Sequence, residues 1–330
     1  MDPQPKNNQG PKRRRERRQT PKICCNEPNL KKRGKRGTAQ RFSCTNCKRW
    51  QSIDAPTPES SDFYIRKRPL KIESGIVKRV IVTPDKHFPI ADLPAIRCVK
   101  QIIEKSDAET YVDLGDTLEH ASVSHWERAS KPKIPLDLVI EELDEEAHQS
   151  NQDWDFLDES LDKAGIKERY ITLGNHDHWL DKFLTQHPHL NKIYNFENLY
   201  RMDQRGYSVI PFGEFLNIGK LHFYHGHHIG GVNHTRGHLL RFGVSLLYGH
   251  HHSVSHYEVG FANGVKSATS LGCLKKLGHD ANQWLNNLKH SWGHACASVD
   301  YYDDGNYCIN IHRIIEGKVV FNGDLINGNA

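Results

Sequence analysis

With 330 residues, 37% of them hydrophobic and 26% charged, the chain is long enough to bury a large core, and one catalytic domain with a small appendage is the expected division. No run approaches the roughly 18 to 20 apolar residues of a membrane span, and the first residues are charged rather than apolar. These features argue against an anchor or a secretory signal, so a cytoplasmic location with no membrane partner is expected.

The net charge of +5 conceals a division. Residues 1–50 hold 16 Lys and Arg against Asp2, Glu16 and Glu27, a net of +13, which leaves −8 for the remainder. The segments "PKRRRERRQT" and "KKRGKRG" have almost no apolar residues, and such runs are mobile when unbound and attractive to polyanions. A tail that only keeps the protein soluble is the simpler alternative. Residues 1–20 are expected to be a disordered basic arm, 21–53 a small module, 54–65 a linker (its core "DAPTPESSD" is rich in Pro, Ser and acids) and 66–330 the main domain.

Four of the eight cysteines crowd into residues 24–47. The spacing Cys44-Thr-Asn-Cys47 lets two thiolates grip one Zn²⁺ from a tight turn, and such a knuckle pairs with another about 15 to 20 residues away. Cys24 and Cys25 lie at that distance. The order of a cysteine pair, a Lys/Gly-rich hairpin, the strand "QRF" and a second pair resembles the zinc ribbons of transposase and replication proteins, which implies one structural Zn²⁺. Cys24 and Cys25 are adjacent rather than two residues apart, a departure that leaves open whether both are ligands.

From residue 76 the chain alternates strand and helix signals. "GIVKRVIVTPDKHF" reads as a first strand ending at Asp85, "LPAIRCVKQIIEKS" as a helix and "TYVDLGDTLEH" as a second strand ending at Asp116. Pro135 opens a long helix whose apolar Leu136, Val139, Leu143, Ala147, Trp154, Leu157 and Leu161 recur every three to four residues until Gly165 stops it. "RYITLGNHD" is a third strand. Shorter runs follow, "EFLNIGKLHFYHG", "VSLLYGHHH", "SHYEVGF", "VKSATSLGCL", "ACASVDYY" and "YCINIHRII", the last two joined by the hairpin signal "DDGN". Two β layers flanked by helices are expected, with no internal repeat.

The ends of these strands carry the chemistry. Asp85 and His87 end the first strand, Asp116 the second, Asn175 and His176 the third; His225 follows "LHFY", and His250 and His252 follow "VSLLY". All 22 histidines lie from His87 onward, and ligands of α/β sheets sit at strand ends. The blocks Asp-x-His, Gly-Asp, Gly-Asn-His-Asp, His-Gly and Gly-His-x-His, in that order over roughly residues 76 to 275, closely resemble the calcineurin-like metallophosphoesterase family. The resemblance implies a four-layer α-β-β-α sandwich and two divalent ions bridged by Asp116. Asp85, His87 and His252 would complete one site, and Asn175, His225 and His250 the other. It also makes His176 the general acid that protonates the leaving group, with Asp177 orienting its ring.

The residue types suit that chemistry. Cleaving a phosphate ester needs a hydroxide at neutral pH and positive charge on the nonbridging oxygens, which two cations about 3.5 to 4 Å apart supply. Mixed His, Asp and Asn ligands favour Mn²⁺, Fe or Zn²⁺ over Ca²⁺ or Mg²⁺. The glycines before Asp116, Asn175 and His250 permit tight turns and close approach of substrate. His120 and His227 are candidates for substrate contact, while His228 and His251 flank the ligands and would support them from behind.

"GDTLEHA" and "GNHD" differ from the Gly-Asp-x-Val-Asp-Arg-Gly and Gly-Asn-His-Glu of Ser/Thr protein phosphatases. They look more like the phosphodiesterase and nuclease branches, including short phosphoesterases encoded by bacteriophages, for which the address would be the host cytoplasm. A nuclease acting on DNA or RNA, with nucleic acid as partner of the basic module, is therefore expected. A phosphomonoesterase acting on protein or nucleotide is the first alternative. A nucleic-acid-binding protein using the fold as scaffold is the second.

Overall fold

In a computed structural model, residues 30–36, 39–47, 50–53, 78–125, 134–285 and 290–330 are described. The arm at 1–20, the linker at 54–65, and Cys24 and Cys25 lie outside these residues. The chain divides into two units, Met1–Glu73 and Ser74–Ala330.

In the first unit β1 (Leu30–Arg36), β2 (Ala39–Cys44) and β3 (Trp50–Ile53) form an antiparallel sheet in the order β1-β2-β3. Leu30 pairs with Cys44, and the register shifts between Arg33 and Lys35. Cys44 is buried at the end of β2, and Cys47 is half-buried in the turn that follows.

The second unit starts from short strands that are apolar on both faces, as strands covered on both sides must be. β4 (Lys78–Thr83), β5 (Thr110–Asp113), β6 (Glu168–Thr172) and β7 (Tyr207–Ile210) run parallel, and β13 (His294–Tyr301) and β14 (Tyr307–Ile314) add antiparallel on the β4 side. A second sheet has the order β11-β12-β10-β9-β8, built from β8 (Leu216–Ile218), β9 (Leu221–Tyr224), β10 (Ser245–Tyr248), β11 (Val254–Phe261) and β12 (Gly264–Leu271). A hairpin of β15 (Lys318–Phe321) and β16 (Asp324–Asn327) ends the chain.

Side-chain alternation along each strand decides which layer a residue enters. Val80, Val82, Val112 and Leu114 meet Leu221, Phe223, Leu247 and Leu271 between the two sheets. The opposite face of the first sheet sends Ile81, Tyr111 and Ile171 against α1 (Leu93–Lys105) and α2 (Leu136–Lys163), whose Val99, Leu143, Trp154 and Leu157 are buried there. On the far side of the second sheet, Leu239 of α4 (His234–Phe242) packs on Tyr224, Leu246, Tyr248 and Ala268. The layers are thus α-β-β-α, and each fully buried aliphatic side chain in them contributes about 1.5 to 3 kcal/mol.

The strand ends are held together beneath the surface. Beyond β4 and β5 the two chains continue side by side, with Asp85 N donating to Gly115 O, His87 N to Asp116 O and Phe88 N to Thr117 O at 3.2, 2.9 and 2.8 Å. Between Asp85 and His87, the Lys86 ammonium turns inward to Asp113 Oδ2 at 2.6 Å, with both side chains fully buried. Asp113 also accepts from Thr117 Oγ1 at 2.7 Å and Gly115 N at 3.1 Å, so its carboxylate is well satisfied. Removing one member of such a pair strands the other charge in the core, so Asp113→Ala should lower unfolding free energy by about 3 to 5 kcal/mol. Urea unfolding followed by circular dichroism reads this directly, and an unchanged midpoint would show that the pair does not support the loops.

Candidate metal centre

The chain delivers seven donor side chains to one edge of the two sheets. Asp85 and His87 come from the loop after β4, Asp116 from the loop after β5, and Asn175 from the first residue of α3 (Asn175–Gln186). His225 follows β9, and His250 and His252 follow β10. The sequence reading ran the strands up to Asp85, Asp116 and Asn175; the strands stop two or three residues earlier. The ligand positions bend out of the sheet plane. Asp85, His87, Asp116, His250 and His252 have φ of 28, 52, 45, 66 and 57°, left-handed values that cost non-glycine residues energy and persist where surrounding structure enforces them.

The donor atoms gather into two sets, Asp85–His87–His252 and Asp116–His225–His250, each with one ligand atom per residue within 4.8 Å of the others. In the first, His87 Nε2 faces His252 Nε2 at 3.1 Å, and His252 Nε2 lies 3.5 Å from Asp85 Oδ1. In the second, His225 Nε2 lies 3.1 Å from each of His250 Nδ1, Asn175 Oδ1 and Asp116 Oδ2. Asp116 Oδ2 is also 4.0 Å from His87 Nε2, which puts this carboxylate between the sets. Ligands about 2.0 to 2.2 Å from one ion stand roughly 3 to 3.5 Å from each other. These spacings fit a pair of divalent ions.

Further hydrogen bonds assign the ring nitrogens. His87 Nδ1 donates to Glu119 Oε2 at 2.6 Å and His225 Nδ1 to the Leu114 carbonyl at 2.9 Å, leaving both Nε2 lone pairs for a cation. Asp85 accepts the His250 amide at 2.9 and 3.0 Å, and Asp116 accepts the His176 amide at 2.8 Å. The carboxylates explain two glycines. A Cβ on Gly174 would overlap Asp116 Oδ1 and one on Gly249 would overlap Asp85 Oδ2. The approach these glycines permit is therefore that of the protein's own carboxylates, where the sequence reading assigned it to substrate.

The electrostatics point the same way. Burial disfavours a charged His225, yet Asp116 and then Asp85 push its ring up to about 9. Burial also disfavours a charged Asp116, but His225 and His176 hold its carboxyl well below the usual range. Burial pushes His87 down to about 3 and His250 to about 2, so these rings are neutral and ready to ligate. Two buried carboxylates thus draw one proton onto His225 in place of a cation.

His176 stands beside the centre with its ring 4.6 Å from that of His87 and tilted against Trp179 at 3.8 Å. Its Nδ1 donates to the Glu119 carbonyl at 2.7 Å, which directs Nε2 away from that contact. Asp177 does not orient this ring. Its buried carboxylate accepts the amides of Gly174 at 2.8 Å and Leu118 at 3.2 Å, because a side chain in the first turn of a helix bends back to the unpaired N–H groups there. His120 is not a substrate contact either. It is fully buried, donating from Nδ1 to the His176 carbonyl and accepting at Nε2 from Tyr200 Oη. His227 is half-buried, stacks on Phe212 at 4.0 Å and lies 6.4 Å from the His225 ring, next to the second set.

Two residues of the centre escaped the sequence reading. Glu119 supports His87, lies 3.8 Å from His176 Nδ1 and is held by Lys275 Nζ at 3.1 and 3.2 Å. Burial would raise its pKa, but His87, then His176 and Lys275, pull it down to about 2. An acid three residues after Asp116, beside a histidine, was the available signal. Lys275 arrives from residues distant in sequence and carries none.

No family model and no curated protein matches the sequence. Among solved structures the chain is similar to a Vps29 from Entamoeba histolytica, with 13% identity over 73% of this chain and 96% of that one and a TM-score of 0.38. Vacuolar protein sorting 29 from Cryptosporidium parvum gives 11%, 76%, 95% and 0.40, and a dimetal phosphatase from Danio rerio 12%, 72%, 96% and 0.37. At such identities and TM-scores the chemistry has to be read from this chain's own residues.

Because His225 holds a proton up to about pH 9 in the metal-free protein, a cation has to displace it. Affinity for Mn²⁺ or Zn²⁺ should therefore fall as pH drops, by about tenfold per unit below that value. Competition with a chromophoric chelator at several pH values checks this. In Asp116→Asn, which removes the shared charge, both ions should bind more weakly.

Proposed function

We propose that this chain is a binuclear metal-dependent phosphodiesterase acting on nucleic acid. The observation that carries the reading is the pair of adjacent donor sets, with Asp116 of one 4.0 Å from His87 of the other and the His176 ring 4.6 Å from that of His87. Divalent ions held there supply Lewis-acid charge for phosphate oxygens and make water acidic enough to act at neutral pH. Asp85, His87 and His252 would hold one ion and Asn175, His225 and His250 the other, with Asp116 available to both.

The chain's own residues supply positioning and a proton. Glu119 accepts a hydrogen bond from His87 Nδ1 with its carboxylate and from His176 Nδ1 with its carbonyl, so one residue orients a ligand ring and the acid together. His176 Nε2 is then the atom that delivers a proton to the leaving oxygen, with the Glu119 carboxylate 3.8 Å behind it at Nδ1.

Two features support a nucleic-acid substrate. The first 50 residues carry +13, and positive charge without matching acids attracts phosphate chains. Beside the first donor set, the Trp292 ring lies 4.6 Å from His252 and 5.9 Å from Trp284, which is 63% exposed. Exposed aromatic rings next to a phosphate-cleaving site can stack unpaired bases. Cys44 and Cys47, with Cys24 and Cys25, would hold a structural Zn²⁺ that orders the basic hairpin.

A panel of bis-nitrophenyl phosphate, nitrophenyl phosphate and single-stranded and duplex oligonucleotides tests the reading; preference for the monoester would replace it by a phosphomonoesterase. His176→Ala should keep its metals yet lower turnover of oligonucleotides by about 10² to 10⁴, with a smaller loss for nitrophenyl leaving groups, which need little protonation. Equal losses would reject the acid role. Binding of nucleic acid should weaken with salt at a log–log slope of about −0.7 to −0.9 per phosphate neutralised. Deleting residues 1–60 should flatten that slope and leave hydrolysis of the small diester unchanged, whereas an unchanged slope would mean that the arm is not the dock.

A further inference from the structure

Three imidazoles outside both donor sets meet behind the ligand loop. His234 and His238 stand one turn apart on α4 and so share a face, and His251 lies between the ligands His250 and His252. One ring nitrogen of each falls within 4.8 Å of the others. His234 stacks on His251 with ring centroids 3.9 Å apart, and His238 meets His251 at 5.8 Å.

Their hydrogen bonding is incomplete in one direction. His238 is fully buried, and its Nδ1 donates to the His234 carbonyl at 2.8 Å, which fixes the tautomer and leaves a lone pair on Nε2. That Nε2 has no hydrogen-bond partner, and neither does His251 Nε2. The Gly226 carbonyl faces both rings without meeting hydrogen-bond geometry with either Nε2. His234 has Tyr248 Oη 2.8 Å from Nδ1 and Ser253 Oγ 3.3 Å from Nε2; both hydroxyls can donate or accept, so these contacts fit either tautomer, and an ion would take the lone pair now turned to a hydroxyl. A buried polar atom left unmade costs about 1 to 3 kcal/mol, and two orphaned nitrogens in one cluster call for a ligand.

We propose that His234, His238 and His251 form a separate mononuclear metal site. Three neutral imidazoles without a carboxylate suit Zn²⁺ and its neighbours among the later transition metals, not Mg²⁺, Ca²⁺ or Mn²⁺. Three such ligands leave one position of a tetrahedral Zn²⁺ for water. The site is structural in placement. The His251 ring is 5.0 Å from that of His250, so an ion here staples α4 to the loop whose His250 and His252 are held in left-handed backbone. Helix α4 contributes no ligand to the two donor sets, and the staple accounts for its histidines.

Zinc content and Co²⁺ spectra of the full-length protein test the site independently of catalysis. After chelation and reloading, His238→Ala should hold one zinc equivalent fewer than the unmodified chain and retain the two of the binuclear centre. In Asp116→Ala, Co²⁺ should still give the intense visible bands of a tetrahedral nitrogen site, and these should vanish when His238→Ala is added. Thiolate charge-transfer bands in the near ultraviolet identify any cobalt held by cysteines and are subtracted. Equal zinc content in folded His238→Ala and unmodified protein would overturn the proposal. Should His238→Ala fail to fold, anomalous scattering at the zinc edge from crystals of the unmodified protein decides: a peak among the three rings supports the site, and its absence at saturating zinc refutes it.

Discussion

The buried ion pair between Lys86 and Asp113 is the constraint on which the centre rests. Lys86 lies between two candidate ligands, Asp85 and His87, and its side chain leaves the surface to meet a carboxylate that ends β5. With that ammonium anchored below, the flanking residues turn the other way, toward the edge where the donors gather. Asp113 also fixes Gly115 and Thr117 on either side of Asp116. One carboxylate thus aligns the two loops that supply three of the seven donors. Such a pair is a weak source of net stability but a strong source of geometry, because every alternative arrangement leaves a charge unpaired in the core.

Upon that base the protein stores unfavourable conformations and charges. Five donor residues sit in left-handed backbone, and the Asp85 and Asp116 carboxylates are buried against one another's field. Backbone hydrogen bonds from Gly249 to His225 and from Gly293 to His252 hold the second sheet's loops in place despite the strain. The missing positive charge is met by a proton on His225. The centre is therefore preorganised, with its cost borne by the packed sheets beneath, and a cation bound there would relieve repulsion already built in. Glu119 and Lys275 extend this arrangement outward by coupling a ligand ring to His176 through a single acidic residue.

The distribution of histidine makes sense in the same terms. His87, His225, His250 and His252 belong to the donor sets, His176 stands 4.6 Å from the His87 ring, and His120 is held between the His176 carbonyl and Tyr200. His234, His238 and His251 occupy the opposite side of the ligand loop, under Tyr248. A loop with ring clusters on both sides has few ways to move, which suits residues whose spacing must match an ion.

Much of this was legible in sequence because strand periodicity and strand ends are local properties. The apolar runs at 78–83, 110–113, 168–172, 221–224 and 245–248 marked the strands, and the Asp, Asn and His residues just beyond them marked the donors. The recurrence of apolar residues every three to four positions along α2 placed Leu143, Trp154 and Leu157 in the core before any coordinates. Helix α4 was not legible, since its His, Arg and Gly residues give a weak apolar stripe, and the β15–β16 hairpin was too short to register. The duties of Asp177 and His120 were misread for one reason: their neighbours in sequence are candidate ligands, while their partners in space are the backbone of Gly174, Leu118 and His176 and the Tyr200 hydroxyl. Sequence by itself determined which residue types reach the edge of the sheets, because hydrophobic pattern and turn residues act over a few positions. Only the tertiary structure decided which of them face one another, because pairs such as Lys275 with Glu119 or His251 with His238 form between segments whose proximity depends on the packing of whole layers.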